Sequence, residues 1–488
     1  MVKIMIKKLE LLDLNLVKHM VGEAYKLLNN PGVQVYSPEA LDLLSDAGSK
    51  VDLESKVASI PEEMVQRALS TVPSSFYLYN SKGEKAVHYG GDDVQFDPGS
   101  AATEIIDYGS SKSRKPTTSD FVKYAKLTEG LTGLDAISTA MICSDVPEKI
   151  ADLYRLYLVL LYSTKPIVTG AFRIDTLHVM NDLLVTAVGG SDLTTKPRAI
   201  FDVCPSPPLS WSELTCQNMI DCAKHHTPAE LVSMPLAGAT GPVTLLDSVV
   251  QHAAESLSGI VIHQLARAGA PIVWGGSPAI FDMRTGTTPM GAIESIMMDC
   301  ACAQVGKYLG MPTHAYAGLS DAKVVDTQAG FESGIGLILA ALARINMVSG
   351  AGMLDFEKCF SLEKLVIDHE LIGVARRFLR GIEFRGEFAT DIIRQVGIGG
   401  NFLSSKHTLR WLRKEHLIPS SLIDRDYREK WRKKGAKNTA CRANKYVKEL
   451  VGHYEPIELE DNIREKLKSI TTQMAQRCGM NKLPPLPD

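Results

Sequence analysis

A (β/α)8 TIM barrel, preceded by an α+β lobe and followed by a helical extension, is the fold class that the sequence predicts for this 488-residue chain. From about Ala101 to Leu379, eight short apolar stretches alternate with helical segments of roughly ten to twenty-five residues. Together they span roughly 280 residues, close to the roughly 250 usual for such a barrel. No strand is followed by the Gly-rich fingerprint of a doubly wound dinucleotide fold.

The elements follow in chain order. Residues 1–97 form the first lobe, where "LNLVKHMVGEAYKLL" has helical spacing and "GVQVYS" reads as a short strand. In "SPEALDLLSDAG", Ser37 is the N-cap, Pro38 takes the first helical position and Gly48 ends the helix. A second helix starts at Pro61, and "SFYLYNSKGEKAVHYGGDDVQF" alternates around a turn at Lys82-Gly83, the pattern of a hairpin. The barrel occupies residues 98–380, with strands at "TEIIDY", "DAISTAMI", "PIVTGAF", "AIFDVC", "LVSMPLAG", "PIVWGG", "PTHAYAG" and "NMVSGAG". Thr118, Asp145 and Asp175 mark helix starts between them. Residues 381–488 are helical and charged, suited to covering the barrel or making a subunit contact, and "GIGGNF" reads as a turn between helices.

Composition narrows the function. With 45% hydrophobic and 22% charged residues and a formal charge of −3, the chain has no basic field for nucleic acid. No run of about eighteen apolar residues provides a membrane span, and the N-terminus lacks the apolar region of a secretory signal. Nine cysteines, an odd number, point to reduced thiols and a cytoplasmic protein.

In a (β/α)8 barrel the chemistry sits at the carboxyl ends of the strands. Unusual residues gather there: Glu104, Phe172, Arg173, Asp202, Trp274, His314, Tyr316 and Phe356. Aromatic rings with acids nearby suit a bound cation, since each ring face attracts an ammonium by about 0.5 to 2 kcal/mol. Trp274, beside Gly275 and Gly276, has room around it for a ligand. Metal signals are weak. Cys300 and Cys302 project to nearly opposite sides of one helix, Cys222 and His226 lie toward the other end of the barrel, and zinc needs three or four convergent ligands. His252 and His263, in a largely apolar helix, read as core histidines. No nucleophile elbow or P-loop occurs.

The stretches "PLAGATGPVTLLDSVVQHAAESLSGIVIHQLARAGAPIVWGG", "AGLSDAKVVDTQAGFES" and "GIGGNFLSSKHTLRWLR" resemble the trimethylamine methyltransferase superfamily of corrinoid-dependent amine methyltransferases. The resemblance spans most of the chain. It implies a (β/α)8 barrel that passes a methyl group from an amine to the cobalamin of a separate corrinoid protein, as a homo-oligomer without a bound metal. The family contains trimethylamine enzymes with pyrrolysine and a larger group without it, some acting on quaternary amines such as glycine betaine. Twenty common letters favour the second group. Lys323 is the position where pyrrolysine transcribed as lysine would work, which leaves a trimethylamine enzyme as an alternative, beside a non-catalytic quaternary-amine-binding protein.

A quaternary ammonium needs no metal or general acid, because a neutral tertiary amine departs when its methyl is attacked. Trp274, Tyr316, Phe172 and Phe356 are the expected cage. Glu104 and Asp202 would balance the cation, and Arg173 or His314 would bind a substrate carboxylate.

Overall fold

Eight parallel strands organise the computed structural model, which describes residues 6–190 and 192–487. They are β1 (Gln95–Pro98), β2 (Ile137–Ser138), β3 (Ile167–Thr169), β4 (Ala199–Val203), β5 (Ala229–Ser233), β6 (Ile272–Gly276), β7 (His314–Tyr316) and β8 (Met347–Ala351). β2 to β6 pair side by side in sequence order, and β7, β8 and β1 form a second parallel run. A parallel bridge between Trp274 and Thr313 sets β6 beside β7. Asp135 N donates to Phe96 O at 2.8 Å, which sets β1 beside β2. The helices Thr118–Gly130, Ala151–Tyr162, Thr176–Ala187, Glu213–His225, Leu245–Ala266, Ile293–Tyr308, Thr327–Leu342 and Leu362–Leu379 alternate with them.

Seven strands fall where the apolar runs place them. The first does not: "TEIIDY" gives Glu104–Ile106, which pairs with Cys359–Phe360 and Ser113–Arg114 in a small separate sheet. The first long parallel strand instead comes from "QFDP", within the hairpin region. Gln95 and Phe96 read as the tail of the hairpin pattern and a buried Asp97 with Pro98-Gly99 hides the rest, yet Gln95 and Phe96 are in register with Met347 and Val348.

Strand side chains alternate between two faces. Ala136, Val168, Ile200, Val273 and Met347 meet on the inner face, where Leu78, Val87 and Tyr89 join them. The last three belong to an antiparallel hairpin, Phe76–Tyr79 with Lys85–Tyr89, which therefore plugs the amino-terminal end of the strands. Outward residues such as Phe201, Leu231 and Trp274 enter the larger core between strands and helices.

Local signals explain most helix starts. Ser37 Oγ accepts from Ala40 N at 3.3 Å with Pro38 at the first position. Thr117 and Asp120 form a reciprocal capping box at Thr118–Gly130. Asp145 caps that same helix through Thr118 N at 3.0 Å, whereas its own neighbour Ala151–Tyr162 begins after a 3-10 turn. The N-terminal helices Leu14–Asn29 and Glu62–Thr71 pack on Leu245–Ala266. At the other end of the chain, Thr439–Gly452 and Asp461–Arg477 pack over the outer helices, with Tyr454 Oη donating to Tyr162 O at 3.0 Å. "GIGGNF" is a turn between Thr390–Val396 and Lys406–Glu415, a stretch that leaves Phe388, Ile398, Leu403 and Leu409 exposed. Among the described residues, no helix is long and apolar enough to cross a membrane.

The plug predicts a stability effect. Leu78→Ala should cost about 2 to 5 kcal/mol, the range for emptying a packed apolar site. Urea unfolding would show it, and a cost below about 1 kcal/mol would mean that the hairpin is not part of the core.

Candidate active site

Directly above the plug layer, the inner face changes from apolar to ionisable. The alternation that turns Ile200, Val273 and Met347 inward also turns Asp202, Gly275 and Ser349 inward two residues later. Asp97 on β1, Glu230 on β5 and His314 and Tyr316 on β7 complete the cluster, and Tyr89 of the hairpin reaches it from below. Gly275 is required here, because a Cβ would lie 2.9 Å from His314 Nδ1 and 3.3 Å from Glu230 Cγ.

The hydrogen bonds form a directed network. Ser349 Oγ donates to Asp97. His314 Nε2 is 2.8 Å from Ser349 Oγ and, since that hydroxyl's proton is committed, the imidazole donates through Nε2. That leaves His314 Nδ1 as an acceptor, 3.2 Å from Glu230 Oε1. Burial pushes the His314 pKa down to about 3, so the ring is neutral. Tyr89 Oη donates to Glu230 Oε2 at 3.3 Å, and Tyr316 Oη donates to Asp202 Oδ2 at 3.1 Å.

Asp97 and Glu230 are fully buried and Asp202 is partly exposed beside them, and three acids so placed cannot all be ionised. Burial, then Asp202 and Asp97, raise Glu230 well above the usual carboxylate range. Burial also raises Asp97 strongly, against the stabilising Ser349 hydroxyl. Asp202 rises only to about 7, because burial is opposed by Tyr316, Glu230 and Arg155. Asp202 Oδ1, Glu230 Oε1 and His314 Nδ1 otherwise have no partner. A proton on Glu230 satisfies either His314 or Asp202, one donor for two acceptors.

The loop after β8 adds a fourth acid. Asp355, Phe356 and Glu357 have φ of 52°, 57° and 66°, three successive left-handed residues that each cost about 1 to 2 kcal/mol. Burial and then the charge of Asp202 push Glu357 up to about 8, against a hydrogen bond from the Ser100 backbone.

Of the residues picked from the sequence, the structure brings Asp202, His314 and Tyr316 together. Phe172 is exposed at the edge, with the Arg155 guanidinium 4.5 Å from its ring centroid. Phe356 lies at the rim with the Lys323 ammonium 3.7 Å from its centroid; Lys323 also sits 3.4 Å from Asp355 and donates to Asp321 O. Glu104 binds Ser113 and Lys358 in the small separate sheet, and Arg173 makes a paired contact with Asp175 in an exposed loop. Trp274 corrects the expectation of a ligand-facing ring: it points outward, its Nε1 donating to Cys302 O at 2.9 Å and its ring edge-on to His252. The space made by Gly275 belongs to the Glu230–His314 pair instead. Asp97, Tyr89, Glu230, Ser349, Arg155 and Glu357 went unseen in the sequence. Isolated acids in apolar strands, "FDP" and "AELVS", were the available signal for Asp97 and Glu230.

His252 and His263 are core histidines, held by Gly275 O and by Gln264. Among the described residues, no three His, Cys, Asp or Glu side chains form a metal-ligand set. His226 ends its helix with φ 58°, while Cys300 and Cys302 are buried in theirs.

A family model described as trimethylamine methyltransferase (MTTB) matches residues 1–479. The trimethylamine methyltransferase MttB2 of Methanosarcina mazei is 33% identical, over 91% of each chain. The glycine betaine methyltransferase of Desulfitobacterium hafniense is 29% identical, over 97% of this chain and 99% of its own. The crystal structure of the Methanosarcina barkeri monomethylamine methyltransferase MtmB shares the fold at a TM-score of 0.50 and 12% identity, covering 94% of this chain and 88% of that one.

The protonation pattern is testable on the protein alone. A carboxyl whose folded pKa is raised stabilises the fold at low pH and loses that contribution as pH rises through the folded value, about 7 for Asp202. Asp202→Asn should therefore gain stability relative to the wild type as pH rises from about 5 to 7 and stop gaining above about 8. Urea midpoints of the two proteins across that range would check it; a constant difference would show that Asp202 is not perturbed.

Proposed function

This chain belongs to the trimethylamine methyltransferase family, and from that premise we propose that it moves a methyl group from a quaternary amine, glycine betaine or a related betaine, to the cob(I)alamin of a separate corrinoid protein. In this reading the eight parallel strands close as a (β/α)8 barrel whose carboxyl-end mouth receives the donor from solution and the acceptor from its carrier. A cytoplasmic homo-oligomer is part of the same proposal.

One observation carries it: buried acids outnumber the cations paired with them. With one proton shared between His314 and Asp202, a carboxylate is left without a balancing cation. A substrate ammonium supplies that positive charge. At about 4 Å, and at an effective dielectric of about 20, a carboxylate and an ammonium attract by about 4 kcal/mol. Tyr316 fixes Asp202 Oδ2, and the Asp202 residue is partly exposed rather than sealed in the core.

The corrinoid acceptor supplies the nucleophile. As the methyl carbon bonds to it, the C–N bond breaks and its electron pair stays on nitrogen, so a neutral tertiary amine leaves and no proton is needed. The donor loses its positive charge in this step, and an enclosed, poorly solvating chamber favours that loss. The hairpin plug closes the chamber from below, and the carboxylates hold the ammonium so that one methyl faces the mouth.

A second reading has its own support. The Glu230 proton is available to trimethylamine, and its transfer would generate the same kind of ammonium in the same place. The protein should form methylcobalamin from glycine betaine or a related betaine with a cob(I)alamin acceptor, followed by absorbance. Asp202→Asn should lower kcat/KM by roughly 100-fold, about 2.7 kcal/mol. Turnover with trimethylamine alone would establish the second reading. Tight quaternary-amine binding without turnover would establish a binding protein, and neither binding nor turnover would overturn all three.

A further inference from the structure

A second unsatisfied charge lies beside the acid cluster, and it has the opposite sign. Arg155, on the helix Ala151–Tyr162, is only 1% exposed. Its Nη1 donates to Thr139 O at 2.6 Å, at the carboxyl end of β2, and its Nε has no partner. Among the described residues, no carboxylate oxygen lies within 4.0 Å of the guanidinium. Asp152, in the same helix turn, is already committed: it accepts from Phe172 N at 2.7 Å, Thr176 Oγ1 at 2.5 Å and Leu153 N at 2.8 Å. The Phe172 ring covers one face of the guanidinium. Asp202 and Tyr316 are near enough to influence its charge.

A buried guanidinium without an anionic partner is costly, and arginine's planar fork is shaped for a carboxylate. We propose that Arg155 is the carboxylate anchor of this site, so that the ligand is a zwitterion with its ammonium on Asp202 and its carboxylate on Arg155. This rests on the quaternary-amine reading above and deepens it into a substrate class: trimethylammonium carboxylates, in preference to cations lacking a carboxylate. Arg173 and His314 do not fill this role. Arg173 is paired with Asp175 in an exposed loop, and His314 is neutral and bound within the acid cluster.

Arg198 provides an internal comparison. It is as deeply buried and also has an unpartnered Nε, but its Nη2 donates to Ser163 O and, among the described residues, Glu129 is the charge that acts on it. It precedes β4 at the amino-terminal end of the strands, away from Asp202.

Calorimetric titration of the whole protein with glycine betaine, a longer trimethylammonium carboxylate and choline tests the assignment. Choline keeps the trimethylammonium group and replaces the carboxylate with a hydroxyl. The wild type should bind its best carboxylate ligand at least ~10-fold more tightly than choline, the factor for one charge-assisted contact. Arg155→Gln should reduce that ratio to within about threefold while leaving choline binding in place, and Arg155→Lys should restore part of it. Arg198→Gln, a structural control, should leave the ratio unchanged. If Arg155→Gln fails to fold, the wild-type ratio together with Arg155→Lys still decides the matter. Equal wild-type affinity for choline and the carboxylates, or equal weakening of all ligands by the Arg155 variants, would overturn the anchor and leave the quaternary-amine reading intact. Binding of none of the three would overturn both.

Discussion

The site depends on one electrostatic constraint: Asp97 and Glu230, fully buried, and Asp202, partly exposed beside them, cannot all be charged. Every nearby polar group answers to that constraint. Ser349 and Tyr89 donate to the two acids that burial raises most strongly, the neutral His314 bridges between them, and Tyr316 supports Asp202. The hairpin below keeps the chamber apolar at its base, and Gly275 makes the close approach of Glu230 and His314 sterically possible. Packing and charge are therefore one design, since a looser plug would admit water and relax the acids.

In the proposed reading, recognition of a cation by this cluster is electrostatic before it is aromatic. The rings of Phe172 and Phe356 each already face a protein cation, and Trp274 belongs to the helix layer. Tyr316 alone among the expected cage residues stands in the acid cluster, where its hydroxyl matters as much as its ring. The left-handed run from Asp355 to Glu357 is strain of the kind that surrounding contacts must hold in place, and it sits beside the same cluster. Lys323 on Asp355 and Phe356 is one such contact.

Much of the architecture was legible because it rests on local physics. Ser37 and Pro38 begin their helix for reasons visible in four residues, Lys82-Gly83 turns its hairpin, and the alternation of apolar runs with helices locates seven of the eight parallel strands. The missed strand, Gln95–Pro98, reads as the tail of the hairpin because its stability comes from pairing with Met347 and Val348, some 250 positions away. Asp202, His314 and Tyr316 were also legible, being unusual residues at strand ends.

Sequence alone thus determined the alternating α/β class of the fold, the family and the strand ends at which unusual residues gather. These follow from periodicity, capping and motif, each of which acts over short stretches of chain. Only the tertiary structure decided which residues share the chamber. A one-residue difference along β6 sends Trp274 outward and Gly275 inward, and five separate strands contribute side chains to one acid cluster. The protonation of those acids, and the unpaired charge of Arg155 beside them, depend on distances through space, which have no counterpart in the spacing of letters.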